Sequence, residues 1–322
     1  MKIAILGGST AAFEAANAAR KNSPEAEIDI YSAEKVVPYR RPALSGMLAD
    51  FKINEKMFFI KPESFYRENR IGLHLNMFCT AVNSDSLEFS DGSSVPFDQL
   101  VIATGGTARL PEIPGSDRRN VYTFRDLADL EKLDHALSSV RQAVIVGAGV
   151  LGLELAESML KRNIQVTVLE MAPRLFANKL SPEESENVAA KLRDFPGLSL
   201  EFGVTVRSIS DNGVALADNR TLPADIVLFA AGSYPNLPEK LPQGLQIDRG
   251  IKVNSFMETT LPGIYAAGDV IEFQERCFGL FSDARTTGII AGTNAAGGKE
   301  EFKPSTATPV RCFCFGLKLT IP

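Results

Sequence analysis

Ala143-Val144-Ile145-Val146-Gly147-Ala148-Gly149-Val150-Leu151-Gly152-Leu153-Glu154 decides the fold. Four apolar, largely β-branched residues read as a buried strand. Three glycines at a G-x-G-x-x-G spacing follow, and then the apolar start of a helix. Each glycine has its own reason. Gly147 permits a tight turn, Gly149 lets backbone approach a pyrophosphate, and Gly152 lets the helix pack close to the strand. Phosphates would lie over the helix N-terminus, where unpaired N–H groups and the dipole favour anions. Val150 and Leu151 open that helix, and Gly232 closes the later apolar strand Ile226–Ala231. Glu170 ends the next strand, about 20 residues on, where an acid accepts from ribose hydroxyls. An acid there repels a 2′-phosphate and favours NADH over NADPH; Arg174 nearby softens that preference.

The same pattern stands at the N-terminus as Ile3-Ala4-Ile5-Leu6-Gly7-Gly8-Ser9-Thr10-Ala11-Ala12. It is imperfect. Ser9 takes the place of the second glycine and Ala12 that of the third, where alanine is allowed. Ser32 and Ala33 stand where an acid is usual, and Glu34 comes slightly late. Two such turns suggest two dinucleotide sites, whose usual purpose is electron transfer between two cofactors.

At 322 residues the chain can hold two compact domains. A net charge of −5 gives no reason to expect nucleic acid or an anionic membrane as partner. No apolar run approaches the ~20 residues of a membrane span, and no signal peptide is legible. The cytoplasm is the default. Cys79, Cys277, Cys312 and Cys314 are too scattered for a disulfide framework. No metal site is supported. His74 and His135 lack clustered partners and read as structural.

Helices are expected over Ala11–Lys21, Arg125–Val140, Leu151–Arg162 and about Asp283–Ala296. Strands are expected at Glu27–Tyr31, Leu100–Ala103 and Gln165–Glu170, with short strands within 71–100 turning at Asp91-Gly92. Ser181-Pro182-Glu183-Glu184 is a helix start with a serine cap. Val310–Thr320 reads as a strand pair with Cys312 and Cys314 on one face. They are expected to be packing residues.

Several ordered motifs carry a resemblance over almost the whole chain: Gly7-Gly8, Pro38-Tyr39-Arg40-Arg41-Pro42-Ala43-Leu44-Ser45, Ala103-Thr104-Gly105-Gly106, the Gly147–Glu154 turn, Val168-Leu169-Glu170-Met171-Ala172-Pro173-Arg174-Leu175 and Ala266-Ala267-Gly268-Asp269. The chain resembles the pyridine nucleotide-disulfide oxidoreductase superfamily. Within it, it is most similar to NADH-dependent ferredoxin and rubredoxin reductases, the flavin part of nitrite reductases, and NADH oxidase-like proteins. The resemblance implies an α/β fold of two doubly wound domains, with the NAD domain inserted into a split FAD domain. The boundaries expected are 1–112 and 238–298 for FAD, 113–237 for NAD, and 299–322 for the start of a truncated interface domain.

It also implies FAD at Gly7, Gly8, Ser9, Ala12, Glu34, Arg41, Pro42, Val82, Ala103, Thr104, Gly105, Gly268 and Asp269. Asp269 would accept from the ribityl or pyrophosphate region, and Val82 would touch the adenine through its backbone. NAD(H) falls to Gly147, Gly149, Val150, Leu151, Gly152, Glu154, Glu170 and Gly232, with Glu154 near the nicotinamide amide. The disulfide-reducing branches carry a redox cysteine where Ser45-Gly46 stands here. A hydroxyl forms no mixed disulfide, so disulfide reduction is disfavoured. Arg40, Lys52 and Lys61 are candidate cations near the flavin. The implied reaction takes hydride from NADH to FAD and passes electrons to a rubredoxin- or ferredoxin-type carrier. A flavin input module of a multi-subunit reductase and a nucleotide-binding regulator without turnover stay open as alternatives, as does a homodimer.

Overall fold

The computed structural model describes residues 1–50, 55–303 and 310–321. In chain order the elements that position the sites are β1 (Lys2–Leu6), α1 (Thr10–Asn22), β2 (Glu27–Tyr31), β3 (Ile71–His74), β4 (Gln99–Ile102), β5 (Val121–Thr123), α2 (Leu127–Ala136), β6 (Gln142–Val146), α3 (Val150–Leu160), β7 (Gln165–Glu170), α4 (Pro182–Arg193), β8 (Leu198–Phe202), β9 (Ile226–Phe229), β10 (Ile264–Ala266), α5 (Phe281–Ala295), β11 (Val310–Cys314) and β12 (Leu317–Ile321). They divide between two units. Unit 1 holds Met1–Arg40, Asn54–Thr107 and Tyr234–Pro304; unit 2 holds Arg41–Ile53, Ala108–Ser233 and Ser305–Pro322.

Unit 1 is built on a parallel sheet in the order β10-β4-β1-β2-β3. Its strands are apolar runs because helices cover a parallel sheet. Ile3, Ile5, Ile28, Ile30, Leu100, Val101 and Ile102 are buried in one core with the alanines of α1. α5 lies against α1 through its own small residues. A Cβ on Gly292 would stand 2.0 Å from the Ala15 carbonyl oxygen, and one on Gly288 2.5 Å from that of Ala11. The two backbones are therefore in direct contact. An antiparallel sheet of Cys79–Val82, Ser86–Phe89 and Ser94–Pro96 completes the strands expected within 71–100.

Unit 2 repeats the plan in the order β8-β7-β6-β9-β5, again parallel. Its edge strand β5 precedes the other four in the chain. Unit 2 also carries an antiparallel sheet, Val206–Ser210, Gly213–Leu216 and Thr221–Pro223, which the sequence pattern does not announce. β11 and β12 form a hairpin whose turn residues Phe315 and Gly316 both have positive φ, the turn that matches strand twist. The doubly wound α/β class expected from the sequence is thus present in both units.

One helix is shorter than expected. α2 starts at Leu127, because Asp126 is extended and its carboxylate caps the Asp129 N–H at 2.9 Å; a 3-10 turn, Leu137–Ser139, ends it. The Ser181 cap forms as expected, with Glu184 completing a capping box. His74 has a partner after all: its ring meets Asp29 at 2.7 Å and stacks on Tyr31. Among the described residues no helix is long and apolar enough to cross a membrane.

Gly292→Ala is expected to destabilise unit 1 by about 1–3 kcal/mol, because backbone rather than a flexible side chain must move. Urea unfolding of the variant checks this; an unchanged midpoint would contradict the close α1–α5 packing.

Candidate cofactor sites

In unit 1 the chain leaves β1 into Gly7 at φ +135°, where a Cβ would lie 2.1 Å from the Ala103 carbonyl oxygen at the end of β4. Gly7 N–H donates to the Tyr31 carbonyl, and a Cβ on Gly8 would overlap the Ser32 Oγ at 2.0 Å. The turn is thereby pressed between the ends of β2 and β4, where the strand order reverses. Open α/β sheets bind ligands at that point. Ser9 is the N-cap of α1, yet its side chain makes no cap hydrogen bond, and no acid stands in the first turn. Ala12, fully buried, fills the third-glycine position.

Ala103, Thr104 and Gly105 follow β4. The buried Thr104 Oγ1 has no hydrogen-bond partner. Gly268 and Asp269 follow β10 in a short turn, where Gly268 N–H donates to Thr287 Oγ1 of α5 at 3.0 Å. Asp283 of α5 faces this turn. Burial and then the Asp269 charge push its carboxyl up. Sequence reasoning missed Ser32, Thr287 and Asp283 as members of the site; for Ser32 the only signal is its place at the end of the second strand.

Several other expected residues have protein partners of their own. Glu34 stands beyond β2, where its carboxylate accepts from Tyr39 OH at 2.6 Å. Val82 lies in the antiparallel sheet with its N–H given to the Lys240 carbonyl. Arg41 and Pro42 fall in unit 2, and Arg41 donates to the Arg125 carbonyl at 2.9 Å. Of the candidate cations, Arg40 donates to the carbonyls of Met57 and Phe59, and Lys61 lies over the Phe65 ring. Lys52 lies outside the described residues.

Unit 2 uses the same device. Gly147, at φ +114° after β6, has the Ala230 carbonyl oxygen 2.5 Å from where a Cβ would stand. Gly152 in the first turns of α3 would place a Cβ 2.0 Å from the Gly147 carbonyl. Gly149 differs: it is the N-cap, and a Cβ there meets no protein atom within 4 Å. Val150 and Leu151 begin α3, whose first turn also lacks an acid. Glu170, at the end of β7, accepts from Ala148 N–H at 3.0 Å and from Ala172 N–H at 2.8 Å. Its carboxylate is thus fastened beside the glycine turn. Gly232, at φ +90°, is exposed beyond β9. Arg174 donates to the Leu180 carbonyl.

The helix starts differ, with α5 between the extremes, uncapped but carrying Asp283 in its first turn. α2 and α4 have side-chain caps and acids in their first turns. α1 and α3 have neither. Uncapped N–H groups with no acid in the first turn form an anion-receiving end. With the unpartnered Thr104 hydroxyl, this donor set fits a dinucleotide in each unit.

A third cluster lies one turn into α3. Ser45, in the helical turn Leu44–Met47, donates through Oγ to Glu154 Oε2 at 2.7 Å, and Ser158 Oγ donates to the Ser45 carbonyl at 2.7 Å. Burial pushes the Glu154 carboxyl up, against the Ser45 hydrogen bond and with the Glu157 charge. The buried thiols Cys312 and Cys314, with sulfurs 3.2 Å apart, belong to β11. Cys277 is exposed, and burial raises Cys79 to about 11.

Residues 1–296 match the family described as pyridine nucleotide-disulphide oxidoreductase. The chain belongs to this family. It is 30% identical over 286 residues to a rubredoxin-NAD(+) reductase of Pseudomonas putida, covering 87% of this chain and 74% of that protein. Over 327 residues it is 29% identical to the epsilon subunit of an NADH-dependent phenylglyoxylate dehydrogenase of Aromatoleum evansii, covering 98% and 77%. Its structure matches the reductase in a covalent putidaredoxin reductase–putidaredoxin complex with TM-score 0.86 at 27% identity, covering 99% and 81%. The chain is an NAD(P)H-dependent oxidoreductase with FAD and NAD(H) as cofactors.

Gly149→Ala and Gly147→Ala separate ligand space from fold space. Gly149→Ala is expected to cost the fold at most about 1 kcal/mol, a small N-cap effect, while NAD+ affinity falls about tenfold or more. Gly147→Ala is expected to cost about 2 kcal/mol or more through strain and overlap. Thermal melts and NAD+ titration calorimetry check both. Intact NAD+ affinity in Gly149→Ala would contradict the assignment.

Proposed function

We propose that this chain takes hydride from NADH in unit 2 and passes electrons, through FAD held by unit 1, to an electron-carrier protein of the rubredoxin or ferredoxin type. The carrying observation is that one anion-receiving strand–glycine–helix start is built twice on one chain. When bound, the flavin supplies the redox chemistry; the protein's share is binding, orientation and electrostatics.

In unit 1, Gly7, Gly8, Ser9 and Ala12 would receive the pyrophosphate. Thr104 and Gly105 would line the way to the ribityl chain, and Gly268 and Asp269 would hold its hydroxyls. Ala103 packs the turn. Glu34 would meet the adenosine ribose and Val82 the adenine through its carbonyl. In unit 2, Gly147, Gly149, Val150, Leu151 and Gly152 would receive the second pyrophosphate, with Gly232 bordering it. Glu170 would accept from the adenosine ribose, and its charge favours NADH over NADPH. Glu154 would accept from the nicotinamide carboxamide, and its carboxylate favours the positive charge that forms as hydride leaves.

The carrier as acceptor is supported by the names of the relatives and by the serine where disulfide-reducing members carry a cysteine. A second reading has its own support. The phenylglyoxylate dehydrogenase relative is a subunit, so the chain would serve as the flavin input module of a larger reductase. The cytoplasm is the proposed compartment.

Steady-state NADH oxidation with rubredoxin, ferredoxin and glutathione disulfide tests this reading. Reduction of a carrier, with NADH at least about tenfold better than NADPH in kcat/KM and no disulfide reduction, is expected. Disulfide reduction without carrier reduction would overturn it.

A further inference from the structure

The Ser45–Glu154 contact joins two segments far apart in the chain, within one unit. Ser45 is buried, and both of its polar ends are engaged on α3. Oγ donates to Glu154 and the carbonyl accepts from Ser158, one helical turn further on. Residues four apart on a helix share a face, so the serine turn is pinned to that face at two points. Such pinning fixes which Glu154 oxygen the serine engages.

We propose that Ser45 is a positioning residue for nicotinamide binding, acting by holding and orienting the Glu154 carboxylate; this rests on the nicotinamide site proposed for unit 2. Among the charged neighbours, Glu157 works against a charged carboxylate at Glu154. Glu157 lies on the same helix and pairs with Lys161. β11 brings the Cys312 and Cys314 thiols, and β7 contributes Glu170; β6 brings no titratable side chain. Against burial and the Glu157 charge, the Ser45 hydroxyl is the stabilising hydrogen bond. Loss of that hydroxyl raises the Glu154 carboxyl further, so the pH below which NAD+ binding weakens moves up.

NAD+ and ADP-ribose, which lacks the nicotinamide, are titrated by calorimetry into the FAD-loaded wild type and the variants Ser45→Ala, Ser45→Thr and Glu154→Gln between pH 5.5 and 8. Ser45→Ala is expected to weaken NAD+ by about 3- to 10-fold, the worth of one typical net hydrogen bond. ADP-ribose affinity is expected to stay unchanged, and the acid limb of NAD+ affinity to move to higher pH. Ser45→Thr restores both. Glu154→Gln removes the acid limb, and adding Ser45→Ala to it changes nothing more. Equal loss of NAD+ and ADP-ribose, or an unmoved acid limb, would overturn the role of Ser45. A wild type that binds ADP-ribose normally but shows no nicotinamide contribution that Glu154→Gln removes would overturn the role of Glu154, and that of Ser45 with it. A wild type that binds neither ligand would overturn the nicotinamide site itself.

Discussion

A carbonyl oxygen pressed against a glycine that has no room for a Cβ is the constraint on which both halves depend. Gly7 meets Ala103 in one unit, and Gly147 meets Ala230 in the other. In each, the central strand of the sheet must turn immediately, at positive φ, beside the end of the neighbouring strand where the order reverses. A side chain would push the turn away from that strand. The helix N-terminus would then no longer open at the reversal point, and the anion-receiving N–H groups would face elsewhere. That contact therefore places the uncapped start of α1 or α3 and the residues after β4 or β9.

The electrostatics complete the division of labour. Acids and caps are concentrated where a helix has only to be stable, at Asp126 and Asp129 of α2 and at Ser181 and Glu184 of α4. They are missing from the starts of α1 and α3, which follow the two glycine turns. The acid that does lie near the second turn, Glu170, is fastened by the N–H groups of Ala148 and Ala172. It is held at the end of β7, beside the glycine turn that precedes α3. The backbone of the glycine turn thus also fastens the Glu170 carboxylate.

Much of the fold was legible in the residues, for local reasons. Glycines, alternations and caps act over a few positions, so Gly147–Gly152, Ser181–Glu184 and the ends of β2 and β7 stand where the pattern puts them. Features that depend on distant contacts were not legible. Arg41 donates to the carbonyl of Arg125, which is distant in sequence. Val82 has its N–H taken by Lys240, a partner far along the chain that no spacing announces. The helix expected from Arg125 begins late because one aspartate prefers to cap. His74 lacked visible partners only because Asp29 comes to it across the β2–β3 pairing. Ser45 read as the loss of a thiol, and only the fold shows what its hydroxyl holds.

The central claim, two communicating dinucleotide sites on one chain, is tested most directly by anaerobic titration of the FAD-loaded protein with NADH while the visible spectrum is recorded. Full bleaching of the yellow colour at one NADH per bound flavin is the predicted result. A protein that takes up no FAD, or that stays yellow with excess NADH, would contradict it.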